Sequence, residues 1–143
     1  MSIKQISVFL ENQSGALNAM TGVLAQNDID MRALSLAEAS DFGIARIIVD
    51  DVYKTTTVLK DAGFIHSLTT VIGAAIPDTP GGLNKLLQIL TDAKVNVEYM
   101  YAFLGGTAKH AYMIFHVQDE PAAAAALRSA GIRLVEQEEI SKL

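Results

Sequence analysis

Cysteine is missing from all 143 residues, which excludes disulfides, thiolate metal sites and thiol nucleophiles. Positive charge is scarce: 11 Lys and Arg stand against 16 Asp and Glu, a net charge of −5. Nucleic-acid affinity rests on clustered Lys and Arg that neutralise phosphates, so no such partner is expected. No run approaches the roughly 18 consecutive apolar residues of a membrane span. The start of the chain, with Lys4, Gln5 and Glu11, lacks the basic lead and apolar core of a secretory signal. A cytoplasmic protein without a membrane partner is the expectation. Catalytic signatures are missing too. No G-x-S-x-G element presents a serine nucleophile, and Gly105 with Gly106 is too short a glycine stretch for a nucleotide loop. His66, His110 and His116 have neither i, i+4 helical spacing nor a neighbouring Cys or paired carboxylate, so no metal or other cofactor is expected.

What the chain has in quantity is apolar residues, 50% of the total, and one pattern written twice. Ser14, Gly15, Ala16, Leu17 recurs as Pro80, Gly81, Gly82, Leu83 after 66 residues. At that spacing Leu24 falls on Leu90, Ile29 on Val95, Asp30 on Asn96, Met31 on Val97 and Ile48 on Ile114. Past a polar turn at 118–121 the spacing becomes 68, pairing Gly63 with Gly131, so that turn holds two extra residues. The chain therefore divides into repeats at 1–69 and 70–143. Halves of about 70 residues are near the lower limit for independent folding, so the surplus apolar surface is expected to pack against the twin repeat or another chain, with a homodimer the simplest outcome.

Residues 3–10 alternate, with Ile6, Val8 and Leu10 on one side, and read as a strand. After the break at 11–15, Leu17, Met20, Val23 and Leu24 have helical spacing. Strands follow at 31–39 and 44–49, joined by a four-residue connection at 40–43, then a helix at 52–62 with Gly63 as its cap. The second repeat predicts a helix at 82–93, strands at 96–104 and 111–117, a helix at 121–130 rich in Ala, and a last strand at 133–140. Between the repeats there is no room for a linker. Residues 65–76 read as one extended stretch that ends one sheet and begins the next, with Gly73 permitting a bend. The order predicts an α+β fold of two tandem ferredoxin-like βαββαβ units, forming a shared antiparallel sheet with helices on one face.

The turn before the first helix of each repeat carries the functional expectation. The first N–H groups of a helix have no helical acceptor and the helix dipole adds positive potential, which suits a carboxylate. Gly15 and Gly81 remove side-chain bulk there. The alternative is purely structural: Ser14 and Thr79 or Pro80 cap and start the helices.

A strand, then a polar stretch ending in Ser or Pro, Gly, x, Leu, then a helix and a Val/Ile, Asn/Asp, Ile/Val/Met element resembles the ACT domain, a regulatory module attached to enzymes of amino-acid metabolism. The matching residues are Asn12, Gln13, Ser14, Gly15, Ala16, Leu17 with Asp30 and Met31, and Asp78, Thr79, Pro80, Gly81, Gly82, Leu83 with Asn96 and Val97. The resemblance implies an amino-acid ligand. A polar residue three before the glycine and another fifteen after it, Asn12 with Asp30 and Asp78 with Asn96, would grip the ligand while turn amides hold its carboxylate. These residues are otherwise ordinary turn residues. Tyr99, Tyr101 and Phe103 alternate onto one face, as a ligand wall, a dimer surface or core; their counterparts Ala33, Ser35 and Ala37 are small, so the two sites are not expected to be equivalent. The expected function is a non-catalytic regulator that binds a small amino acid at these turns and at domain or subunit interfaces, in association with a metabolic enzyme. A scaffold subunit that binds no metabolite is the alternative.

Overall fold

A computed structural model describes residues 2–103 and 110–142. It contains β1 (Ile3–Glu11), α1 (Ala16–Gln26), β2 (Met31–Ala39), β3 (Phe42–Val49), α2 (Val52–Asp61), β4 (Ile65–Pro77), α3 (Gly82–Asp92), β5 (Val97–Ala102), β6 (His110–Val117), α4 (Glu120–Ser129), β7 (Arg133–Val135) and α5 (Gln137–Ile140). Leu104, Gly105 and Gly106 lie outside the described residues. The chain divides into two compact units. The first is Lys4–Thr69 with Ile140–Lys142; the second is Thr70–Glu139 with the N-terminal residues through Ile3. β4 leaves the first unit at Thr69 and enters the second at Thr70 without interruption.

In the first unit the strand order is β2-β3-β1-β4, and the pairs β2–β3 and β1–β3 are antiparallel. The alternation of β1 sends Ile6, Val8 and Leu10 into a core with Met20 and Leu24 of α1, Ala45, Ile47 and Val49 of β3 and Leu59 of α2. In the second unit β4 lies between β6 and β7, and β5 pairs with β6, all antiparallel. Its core repeats the first: Ile72, Ala74 and Ile76 meet Leu86 and Leu90 of α3, Phe115 and Val117 of β6, and Leu127 of α4. Each fully buried side chain of this size contributes about 1.5–3 kcal/mol. α2 and α4 start on acidic caps, the Asp51 and Asp119 carboxylates accepting from the Lys54 and Ala122 amides at 3.0 and 3.1 Å.

Three local expectations are corrected. The β2–β3 connection is Ser40 and Asp41 alone, since Ala39 pairs with Phe42. The last strand stops at Val135 and gives way to the short helix α5. Four successive polar residues, Glu136 to Glu139, cannot alternate across a sheet, and Glu139 instead turns back to Arg133 at 2.7 Å. That bond raises the Arg133 guanidinium pKa further above its ordinary value. Gly73 serves close packing: a Cβ there would run into the side chain of the fully buried Ile3 and press on Ile114 and Val135.

Candidate functional site

Both repeated turns reach their helices through a left-handed glycine. Gly15 has φ 88° and Gly81 has φ 87°, each is the N-cap residue, and neither helix receives a side-chain cap. Ser14 and Thr79 therefore do not cap through their side chains, and the helices start from the glycines. The Ala16 amide reaches the Gln13 carbonyl at 3.3 Å and the Gly82 amide reaches Thr79 at 3.0 Å. The amides of Leu17 and Asn18, and of Leu83 and Asn84, find no acceptor among the described residues. The contrast lies within each unit: α2 and α4 carry their own carboxylate at this position, while α1 and α3 leave the place open.

A cavity of about 250 Å³ adjoins the first turn, lined by Asn12, Gln13, Ala16 and Leu17 and, from the hairpin, by Leu36, Ala37, Glu38 and Gly43. Asn12 fixes its geometry. The backbone N–H of Asn12 donates to the Asp41 carbonyl at 3.3 Å, and its side-chain amide donates to the Ser40 carbonyl at 3.4 Å, tying the β2–β3 turn to the β1–α1 turn. Leu36 and Glu38 escape motif reading, because only the pairing of Gly43 with both Leu10 and Glu38 brings β2 beside the glycine turn.

Asp30 does not join Asn12 in one molecule. The eleven residues of α1 separate them, about 16 Å of helix. At that far end the Asp30 carboxylate takes the Arg32 guanidinium at 2.7 Å, and its backbone N–H donates to the Asp50 carboxylate at 3.1 Å. Asn96 is likewise at the far end of α3, in a cleft of about 180 Å³ with Gln118 and Asp119, away from Asp78. Met31 and Val97 pack against the two cores.

At the second turn Asp78, Thr79, Pro80 and Gly81 are exposed and Leu83 is 38% exposed. Gly82 lines a cavity of about 310 Å³ with Pro77, Lys85, His110, Gly131 and Arg133. The matching cavity of the first repeat, about 350 Å³, is lined by Phe9, Glu11, Ala16, Ala19, Gly63 and Ile65. The two turns thus share a backbone and differ in lining. On the tyrosine-bearing face, where Tyr99 and Tyr101 are half-buried, Tyr99 stacks on His116 at 5.1 Å and Phe103 meets Tyr112 edge-on at 5.8 Å, while Glu98 reaches His116 at 2.7 Å. Neither Tyr99 nor Tyr101 lines a cavity at a turn.

A family model described as an ACT domain pair matches residues 1–143. Among solved structures, protein BT0572 from Bacteroides thetaiotaomicron is 37% identical, with a TM-score of 0.92 over 100% of this chain and 98% of that one. The regulatory subunit of aspartate kinase from Thermus thermophilus, in its ligand-free form, has a TM-score of 0.67 at 16% identity, covering 91% of this chain and 93% of that one. The corresponding subunit from Thermus flavus has a TM-score of 0.61 at 17% identity, covering 92% and 94%. These two likenesses show a shared fold. Among proteins of curated function none matches.

Proposed function

The chain belongs to the ACT domain family as a tandem pair, and from that membership we propose that it is a non-catalytic regulator that senses an amino acid at its β1–α1 turns and passes the signal to an enzyme of amino-acid metabolism. One observation carries the reading: two helix starts that expose unpartnered amides behind a left-handed glycine, in units whose other helices cap themselves. Such a start receives the α-carboxylate of a zwitterion. In the first repeat the side chains within reach of the α-ammonium are Gln13 and Glu38, both on the cavity wall, with Asn12 holding the wall in place. Ser14 and Gly15 act through the backbone, and Ala16 and Leu17 provide the apolar floor. In the second repeat Asp78, Thr79, Pro80, Gly81, Gly82 and Leu83 form the corresponding turn.

Regulation would work by population shift, the ligand favouring the packing to which it binds best. A regulatory subunit fold shared with the Thermus proteins suits that role, and an enzyme subunit is the natural recipient of the signal. A thermal-shift screen of the amino acids at millimolar concentration tests the reading. A specific ligand raises the melting temperature by mass action, and Gly15→Val removes the first repeat's share of the shift. A flat response across all amino acids defeats the sensor and leaves a scaffold subunit.

A further inference from the structure

α4 presents one face to a cavity of about 310 Å³ within the second unit, bounded on its other side by Ile72 of β4 and by Leu134 and Val135 of β7. Glu120, Ala124 and Arg128 follow one another at four-residue spacing along that face. This slot shares no lining residue with the cavities beside the glycine turns. Its floor is apolar and its two ends are charged: Ile72 and Val135 are buried, Glu120 is half-buried and Arg128 is exposed. Neither Glu120 nor Arg128 has an ion pair or a side-chain hydrogen bond among the described residues.

The first repeat shows that the fold does not require these residues. α2 and α4 both begin one residue after an aspartate cap, which aligns Val52 with Glu120, Thr56 with Ala124 and Lys60 with Arg128. Val52 packs against the first core, so the second repeat gives up apolar contact to place a carboxylate at that position. A half-buried carboxylate without a cation costs free energy, and the slot offers the room for one to arrive. Ala124, smaller than its counterpart Thr56, leaves open the space between the two charges.

We propose that the slot binds an aliphatic ω-amino carboxylate, a zwitterion whose charges sit at opposite ends of a hydrocarbon chain. Its ammonium meets the Glu120 carboxylate, its carboxylate takes the Arg128 guanidinium, and its methylenes lie over Ala124 against Ile72 and Leu134. Eight residues of helix put the α-carbons of Glu120 and Arg128 about 12 Å apart, a gap that the two side chains narrow from both ends. The α-ammonium and α-carboxylate of an amino acid share one carbon and cannot span it. The ligand is therefore of a different class from that of the turns. A plain carboxylate or amine of the same length leaves one charged end of the slot unpaired.

Titration of the isotopically labelled full chain, followed by amide NMR, tests this with ε-aminocaproate as the probe. Saturable shifts are expected at Ala124, Leu134 and Val135, and none at Gly15 or Gly81. Caproate and hexylamine, with one charge each, and β-alanine, with too short a chain, are expected to bind about tenfold more weakly or worse. Glu120→Gln lowers the affinity for ε-aminocaproate to that for caproate and leaves caproate binding unchanged, and Arg128→Gln does the same with hexylamine as the reference. Ala124→Leu, at a half-buried helix position, fills the slot and abolishes the shifts. No saturable shift at the slot, equal affinity for caproate and ε-aminocaproate, or binding indifferent to both Glu120→Gln and Arg128→Gln overturns the proposal. An amino acid acting at the turns is read separately at Gly15 and Gly81, so the failure of one site leaves the other standing.

Discussion

The two repeats keep the same backbone devices and change almost everything those devices face. Left-handed Gly15 and Gly81 start α1 and α3, Asp51 and Asp119 cap α2 and α4, and both edge strands bulge after their first residue. Yet the cavity behind the first glycine is lined by Phe9, Ala19 and Ile65, and the one behind the second by Lys85, His110 and Arg133. Duplication has preserved what fixes the helix start and let the contact surface diverge. On the proposed reading the turn sets the common requirement, a carboxylate at open amides, and the walls set selectivity, so two sites of different affinity are expected, the one lined by Lys85, His110 and Arg133 favouring a more acidic side chain.

The sharpest way to break the correspondence is at the first helical residue, which is Ala16 in one repeat and Gly82 in the other. A Cβ at Gly82 would collide with the Pro77 carbonyl oxygen, a backbone atom that cannot swing away. Gly82→Ala is expected to cost about 1–3 kcal/mol in urea denaturation. Ala16→Gly, the reciprocal change, should cost at most about 1 kcal/mol. Equal losses at both positions would mean that the tighter second turn carries no packing constraint.

Next in size come the left-handed glycines. Nothing lies within 4 Å of a Cβ built at Gly15 or Gly81, so the constraint there is φ alone. Gly15→Val and Gly81→Val are each expected to destabilise by about 1–2 kcal/mol through backbone strain and to remove ligand-induced thermal stabilisation at their own repeat only. Asp51→Ala, with about 1 kcal/mol lost from its helix cap, serves as a control, since Asp51 lines none of the cavities beside the glycine turns. A ligand effect from that variant would move the site.

How much of this was legible follows from the range over which each feature is encoded. Strand β1, helix α1 and strand β2 are written in local periodicity, and the repeat corroborates each, so their positions were readable from Ile6, Leu24 and Met31 alone. The end of the chain was not. Repeat symmetry carries a strand over Glu136 to Glu139, where alternation is lost, and the Arg133–Glu139 bond that folds α5 back is a contact sequence periodicity does not express. The glycine turns were legible because a left-handed N-cap leaves a mark at one residue. Their walls were not, because Leu36 and Glu38 reach the first turn through strand pairing and Lys85 and Arg133 come from separate elements. Asn12 and Asp30 illustrate the same limit: a motif gives spacing along the chain, and α1 turns that spacing into separation within one molecule.

The smallest stability effect should come from Asp30, and it separates the two repeats most cleanly. Its carboxylate is 55% exposed and bonded to Arg32, and an ion pair so open to solvent is worth at most about 1 kcal/mol. Asp30→Ala should therefore leave the urea midpoint nearly unchanged. The second repeat has Asn96 and Glu98 in place of Asp30 and Arg32, so the same pair has no counterpart there and Asn96→Ala should be equally mild. Calorimetric titration with an amino acid found in the thermal screen divides the cases. If Asp30 reaches the turn of a second molecule, its loss weakens binding by tenfold or so while stability stays put, whereas Asn96→Ala changes only the weaker component. Should both variants bind like the wild type, the ligand is held by the turn amides and the cavity wall alone, and the far ends of α1 and α3 keep the modest task of finishing a helix.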